Sequence, residues 1–122
     1  MAVLALISEL MMQSQVSAAA KRAGIPLEIV SSTDALLAKA VSVQPALVII
    51  DLSHPGIDPA QLVPQLRSSL PAGASILAFG PHVHKGLLAA AGEAGCESVI
   101  SRGQFHAQLD EILKATGASG ER

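Results

Sequence analysis

Five short apolar runs, each followed by a stretch whose apolar residues recur every three or four positions, set the rhythm of this chain. Val3 to Ile7 reads as a first strand. Met12, Val16, Ala19, Ala20 and Ala23 then fall at helical spacing until Gly24, a natural left-handed stop with Pro26 just beyond. Leu27 to Val30 is the second strand, and Ser32, Thr33 and Asp34 offer caps for a helix through Leu37, Ala40 and Val41 that must end before Pro45. The third run, Ala46 to Ile50, is the most apolar of the five and is closed by Asp51. Asp58 can cap a helix that has Pro59 at its first position and Leu62, Leu66 and Leu70 along one face. Pro64 lies past its first turn and predicts a kink, a shortened helix or an irregular start. Ser75 to Phe79 is the fourth strand; Leu87, Leu88, Ala91 and Ala94 mark a helix weakened by Gly86 and Gly92 and closed by Gly95. Ser98 to Ser101 is the fifth strand. Phe105, Leu109, Ile112 and Leu113 form the inner face of the last helix, with Asp110 and Lys114 paired on its outer face. Residues 1–117 are read as one domain and 118–122 as a flexible tail.

Strands alternating with helices are βαβ units, so the expected class is α/β with a parallel sheet covered on both faces. Composition supports this: 122 residues suit a single domain, 50% of them are hydrophobic, and 15% are charged. Aromatics are only 2%, so the core is aliphatic. A formal net charge of -2 with scattered Lys and Arg leaves no basic stripe for a nucleic-acid partner. Cys96 is the only cysteine, which excludes an internal disulfide and points to a reducing compartment, with the thiol as a small buried hydrophobe. The apolar opening has no Lys or Arg before it and is interrupted by Glu9, so it reads as a strand and not a signal peptide. No apolar run approaches the ~20 residues that a membrane helix needs. A cytoplasmic protein without a membrane partner is the expectation.

Helices on both faces of a parallel sheet, joined by right-handed crossovers, require the strand order to reverse, and the loops at the strands' carboxyl ends meet at that reversal. Those loops hold Ser8 and Glu9, Asp51 to Asp58, Gly80 to His84, and Ser101 to Gln104. In this layout the chain, up to about Ala115, resembles the receiver domain of bacterial response regulators. There a phosphate-accepting Asp ends strand three and a Pro follows four positions later, as Asp51 and Pro55 do here, followed by Ile57-Asp58 at the family's Met-Asp-Gly-like turn. Leu77-Ala78-Phe79-Gly80 matches the end of strand four, and Glu93-Ala94-Gly95 matches the end of helix four. Arg102-Gly103 and Phe105 stand where receivers have Lys-Pro-Phe. The resemblance implies a flavodoxin-like (βα)5 three-layer sandwich with strand order 2-1-3-4-5.

The chemistry departs from the family. Receivers carry an acidic pair after strand one that holds magnesium; this chain has Ile7-Ser8, with Glu9 one place on. Glu9 and Asp51 make a poor cage for an ion that demands near-octahedral oxygen coordination. The family's Thr or Ser at the end of strand four is replaced by Gly80, which has no side chain to bond a phosphoryl group. Arg102 at the Lys position keeps the charge with a different reach. Phosphoryl transfer relies on metal and cationic neutralisation of the transferred oxygens, so phosphorylation of Asp51 is expected to be slow or absent. Asp51 then reads as a solvated strand-end carboxylate paired with Arg102.

Other chemistries were weighed on their residues. His54, His82 and His84 could meet Asp51 at one end of the sheet and supply ligands suited to zinc, whereas His106 reads as a surface residue. Asp51-Leu-Ser-His54-Pro-Gly56 is off by one from a cobalamin-binding Asp-x-His-x-x-Gly and follows the wrong strand. Ser8 to Gln15 has no glycine to cradle a flavin phosphate, and no Gly-x-Ser-x-Gly elbow for a hydrolase occurs. Of the Met11-Met12 pair, one belongs in the core and Met11 is the exposed member.

The leading expectation is a stand-alone pseudo-receiver, not an enzyme, acting in signal transduction by binding a sensor kinase, another signalling protein or a second copy. By resemblance the interaction surface is the face of helix four, strand five and helix five. No cofactor is expected. The alternatives are a phosphorylatable receiver using Asp51 with magnesium, and a metal- or small-ligand-binding domain using the loop histidines.

Overall fold

The computed structural model describes the backbone of residues 2–120, with side chains through 117. Ten elements alternate: β1 (Val3–Leu6), α1 (Leu10–Ala23), β2 (Leu27–Val30), α2 (Thr33–Val43), β3 (Leu47–Asp51), α3 (Pro59–Ser69), β4 (Ser75–Gly80), α4 (Lys85–Ala94), β5 (Ser98–Ser101) and α5 (Arg102–Gly120). The strands form one parallel sheet in the order β2-β1-β3-β4-β5. The reversal of direction lies between β1 and β3.

Successive strand residues point to opposite faces, and apolar residues occupy both. Val3, Ala5, Ile7, Leu47, Ile49, Leu77 and Phe79 pack under α1 and α5. Leu4, Leu6, Val48, Ile50, Leu52, Ile76 and Ala78 pack under α2, α3 and α4. Every residue of β1 and β3 is buried, the signature of strands covered twice. Phe79 and Phe105, both fully buried, stack with centroids 4.0 Å apart and fix the start of α5 against the end of β4.

Helix ends follow local chemistry. Gly24 and Gly95 take left-handed conformations at the ends of α1 and α4 and return N–H groups to the preceding turn. Ser32 Oγ accepts from the N–H of Ala35 and starts α2. α5 begins on a reciprocal box: Ser101 Oγ accepts from the N–H of Gln104, and Gln104 Oε1 accepts from the N–H of Ser101. That Ser-x-x-Gln signature places Arg102 at the helix's first position.

Three expectations need correction. α3 runs through Pro64 to Ser69; the proline is exposed, so water can reach the carbonyl that lacks its partner. Asp58 precedes α3 without a side-chain cap bond, and Leu70 terminates that helix in extended conformation. Asp110 pairs with Arg22 of α1 at 2.8 Å, across two helices, and not with Lys114. α5 is assigned from Arg102 to Gly120, and residues 121–122 lie outside the described residues.

The amino end of the sheet is tied by one guanidinium. Arg67, in the last turn of α3, donates to the carbonyls of Ala74 (2.8 Å) and Gly95 (3.0 Å) and to both oxygens of Glu97 (2.7 Å). Glu97 Oε1 also accepts from the N–H of Ile76 at 2.7 Å. Although burial pushes the Glu97 carboxyl upward, these bonds together hold it below its ordinary value. Cys96, half-buried beside them, is pushed up to about 11 by burial and by the Glu97 charge, so its thiol stays protonated at neutral pH.

Candidate functional site

Strand register assembles the carboxyl-end site. Asp51 lies opposite Phe79, and Gly80 lies opposite Ser101, which brings the ends of β3, β4 and β5 level. The β1–α1 loop joins them because Leu6 pairs with Ile50. Gln13 Nε2 donates to the carbonyl of Ile7 at 2.6 Å and holds that loop at the strand end.

Asp51 is 3% exposed and, among the described residues, is the buried charged side chain of the protein. Its Oδ1 accepts from the N–H of Ser53 at 2.9 Å, and its carbonyl accepts from the N–H of His54 at 3.1 Å. The tight turn that follows β3 thus folds back over the carboxylate. Asp51 is therefore a buried residue and is not paired with Arg102, contrary to the sequence expectation of a strand-end ion pair. The turn bonds Oδ1 from its own backbone, and among the described residues no cationic side chain pairs with this carboxylate.

Arg102 is engaged elsewhere. Its Nη2 donates to Glu9 Oε1 at 2.6 Å, with the side chains 36% and 48% exposed. The pairing follows from the layers: α1 and α5 share one face of the sheet, and Glu9 and Arg102 stand at their N-terminal ends. Ser8 Oγ and His54 Nδ1 share a hydrogen bond of 2.6 Å, which links the β1–α1 loop to the β3–α3 loop beside Asp51. Neither sequence spacing nor motif announced that contact.

Gly80 is buried, and a Cβ there would stand 3.1 Å from Leu52 Cβ and 3.7 Å from its Cδ1. The place of a side chain at this position is thus bordered by a buried aliphatic residue. A larger residue at 80 asks Leu52 to give way.

The loop histidines stay apart. His82 and His84 are exposed between β4 and α4, and His84 makes no capping bond with its side chain. Among the described residues no three His, Cys, Asp or Glu side chains form a group able to hold a metal ion. The cluster of His54, His82, His84 and Asp51 weighed above does not form, because the His54 ring turns to Ser8. His106 is exposed and Met12 is buried beneath an exposed Met11.

The architecture matches solved receiver domains. One is the receiver domain of a sensor histidine kinase from Pseudomonas aeruginosa PAO1, with a magnesium ion coordinated in its active-site cleft: TM-score 0.77, 18% identity, over 94% of this chain and 96% of that one. A response regulator (signal receiver domain) from Bermanella marisrubri gives 0.79 and 21%, over 94% and 96%. A chemotaxis response regulator of Vibrio cholerae gives 0.73 and 20%, over 95% and 98%. No family model and no curated protein matches the sequence. What these structures share with this chain is the receiver fold, five parallel strands in the order 2-1-3-4-5 with five helices. No helix among the described residues is long and apolar enough to cross a membrane.

Magnesium requires a near-octahedral oxygen set. Here Asp51 Oδ1 accepts from its own turn, the carboxylate of the β1–α1 loop, Glu9, is paired with Arg102, and the Ser8 hydroxyl is engaged with His54. This donor set does not fit the ion.

Proposed function

We propose that this chain is a pseudo-receiver: a cytoplasmic signalling module that works by binding another protein, without efficient aspartyl phosphorylation and without turnover of a substrate. The observation that carries the reading is the Glu9–Arg102 pair, in which an acid and a cation of the carboxyl-end loops bond each other. Asp51 is a buried residue with one carboxylate oxygen bonded to its own turn, while Glu9 and Arg102, from the neighbouring carboxyl-end loops, are spent on each other. Phosphoryl transfer needs a metal and positioned cations to offset the charge on the transferred oxygens. Neither Ser8 nor Gly80 supplies what a receiver uses at those places. The fold outlives the chemistry because its core is independent of the site.

The partner surface in this reading is the α4–β5–α5 face, where a sensor kinase, another signalling protein or a second copy would dock. β5 is an edge strand whose four residues are all half-buried, and α4 buries only Ala91 fully. Such a face is sparsely covered compared with β1 and β3.

Incubation with magnesium and acetyl phosphate, followed by intact mass measurement, tests the reading. No phosphoryl adduct is expected, and beryllofluoride should not be retained. A phosphoryl adduct that disappears in Asp51→Asn would overturn it in favour of a phosphorylatable receiver.

A further inference from the structure

The contact between Ser8 and His54 joins the two side chains a covalent acyl transfer needs, a hydroxyl and a base, at 2.6 Å. Ser8 is exposed and so open to a reagent, whereas His54 is half-buried and held by its backbone: its N–H donates to the Asp51 carbonyl and its carbonyl accepts from the N–H of Ile57. The base is therefore the fixed member of the pair and the nucleophile the accessible one. Its role requires the tautomer with the proton on Nε2, which leaves Nδ1 free to accept from the Ser8 hydroxyl. α1 starts two residues after Ser8, and its preceding residue, Glu9, makes no side-chain cap because its carboxylate is drawn to Arg102. The first N–H groups of α1 are thus left without a side-chain acceptor next to the hydroxyl.

We propose that Ser8, activated by His54, is a covalent acceptor for an activated acyl group. The Ser8 Oγ bonds to the acyl carbon while its proton passes to His54 Nδ1. The bond from that carbon to the leaving group breaks with its electron pair, and the proton then goes to the leaving group or to solvent. The product is an ester on Ser8. This step needs no metal, unlike phosphoryl transfer to Asp51, and it is a single modification rather than turnover, since the pair is consumed once Ser8 is acylated.

A fluorophosphonate probe stands in for the acyl donor, because it forms a stable bond with an activated serine and loses fluoride. Labelling of the whole protein, read by intact mass and peptide mapping, is expected on Ser8. It should be absent in Ser8→Ala and about 100-fold slower in His54→Gln, the lower end of what a positioned base contributes. Both positions lie outside the core, and a melting curve for each variant separates loss of labelling from loss of fold. Absence of label on Ser8, or equal rates with and without His54, would overturn the proposal. A phosphoryl adduct on Asp51 in the magnesium experiment would instead overturn the pseudo-receiver reading, so the two failures are told apart by the residue modified.

Discussion

Two arginine–glutamate pairs sit at opposite ends of the same sheet with nearly equal exposure, 36% and 48% for Arg102–Glu9 and 37% and 48% for Arg67–Glu97. Their roles differ because of what else each guanidinium touches. Arg67 also bonds two backbone carbonyls, and its glutamate accepts from a strand N–H, so α3, β4 and the α4–β5 turn are held by one group. Arg102 makes a single bond to Glu9. Exposure alone is a poor guide to the strength of an ion pair; the number of backbone groups it satisfies decides. The amino end is built for rigidity, whereas the polar contacts of the carboxyl end are links between loops, replaceable without disturbing the core.

The largest effect that this contrast predicts is at Arg67. Arg67→Ala strips the Ala74 and Gly95 carbonyls of a partner and leaves Glu97 without its counter-charge, and should cost about 2 kcal/mol in urea unfolding. A cost no greater than that of an exposed pair would erase the distinction between the two ends.

Acid titration sharpens it. The Glu97 carboxyl is held below its unfolded value, so its contribution is present above that value and is lost as the pH falls through the folded one. The stability difference between the natural protein and Glu97→Gln should be about 1 kcal/mol near neutrality and should shrink below about pH 4. A difference that stays constant into strong acid would mean that the charge contributes nothing.

Much of this architecture was legible in the sequence. β2 and β5 begin and end where their apolar runs do, because Gly24, Pro26 and Gly95 punctuate the chain with little ambiguity. Pro64 misled because helix breaking depends on whether the orphaned carbonyl can reach water, which the pattern does not record. The polar pairs were the least legible. The i,i+4 spacing points Asp110 to Lys114, yet the packing of α1 on α5 offers it Arg22. The strand-end layout points Arg102 to Asp51, whereas the layer arrangement offers it Glu9. Two features of the sequence do bear on these contacts. Ser101-x-x-Gln104 announces the start of α5, and Arg67 falls four residues after buried Val63, on the inner stripe of α3, where an arginine must find partners.

The smallest effect belongs to the pair at the site. Arg102→Ala removes one exposed contact, and an isolated pair of this kind contributes about 0.5 kcal/mol or less. The α5 start should survive the substitution, since the Ser101–Gln104 box and the Phe79–Phe105 stack hold it independently. High salt offers a second measurement on the unaltered protein. At 1 M ionic strength the screening length falls to about 3 Å, so a contribution from an exposed charge pair should be lost while one from backbone-bonded Arg67 largely persists. Denaturation of Arg102→Ala and Arg67→Ala at low and high salt therefore gives four numbers. The expected pattern is a small, salt-erased cost at Arg102 and a larger, salt-resistant one at Arg67. A large cost at Arg102 would show that the Glu9 contact is part of the scaffold and would erase the contrast between the two ends of the sheet.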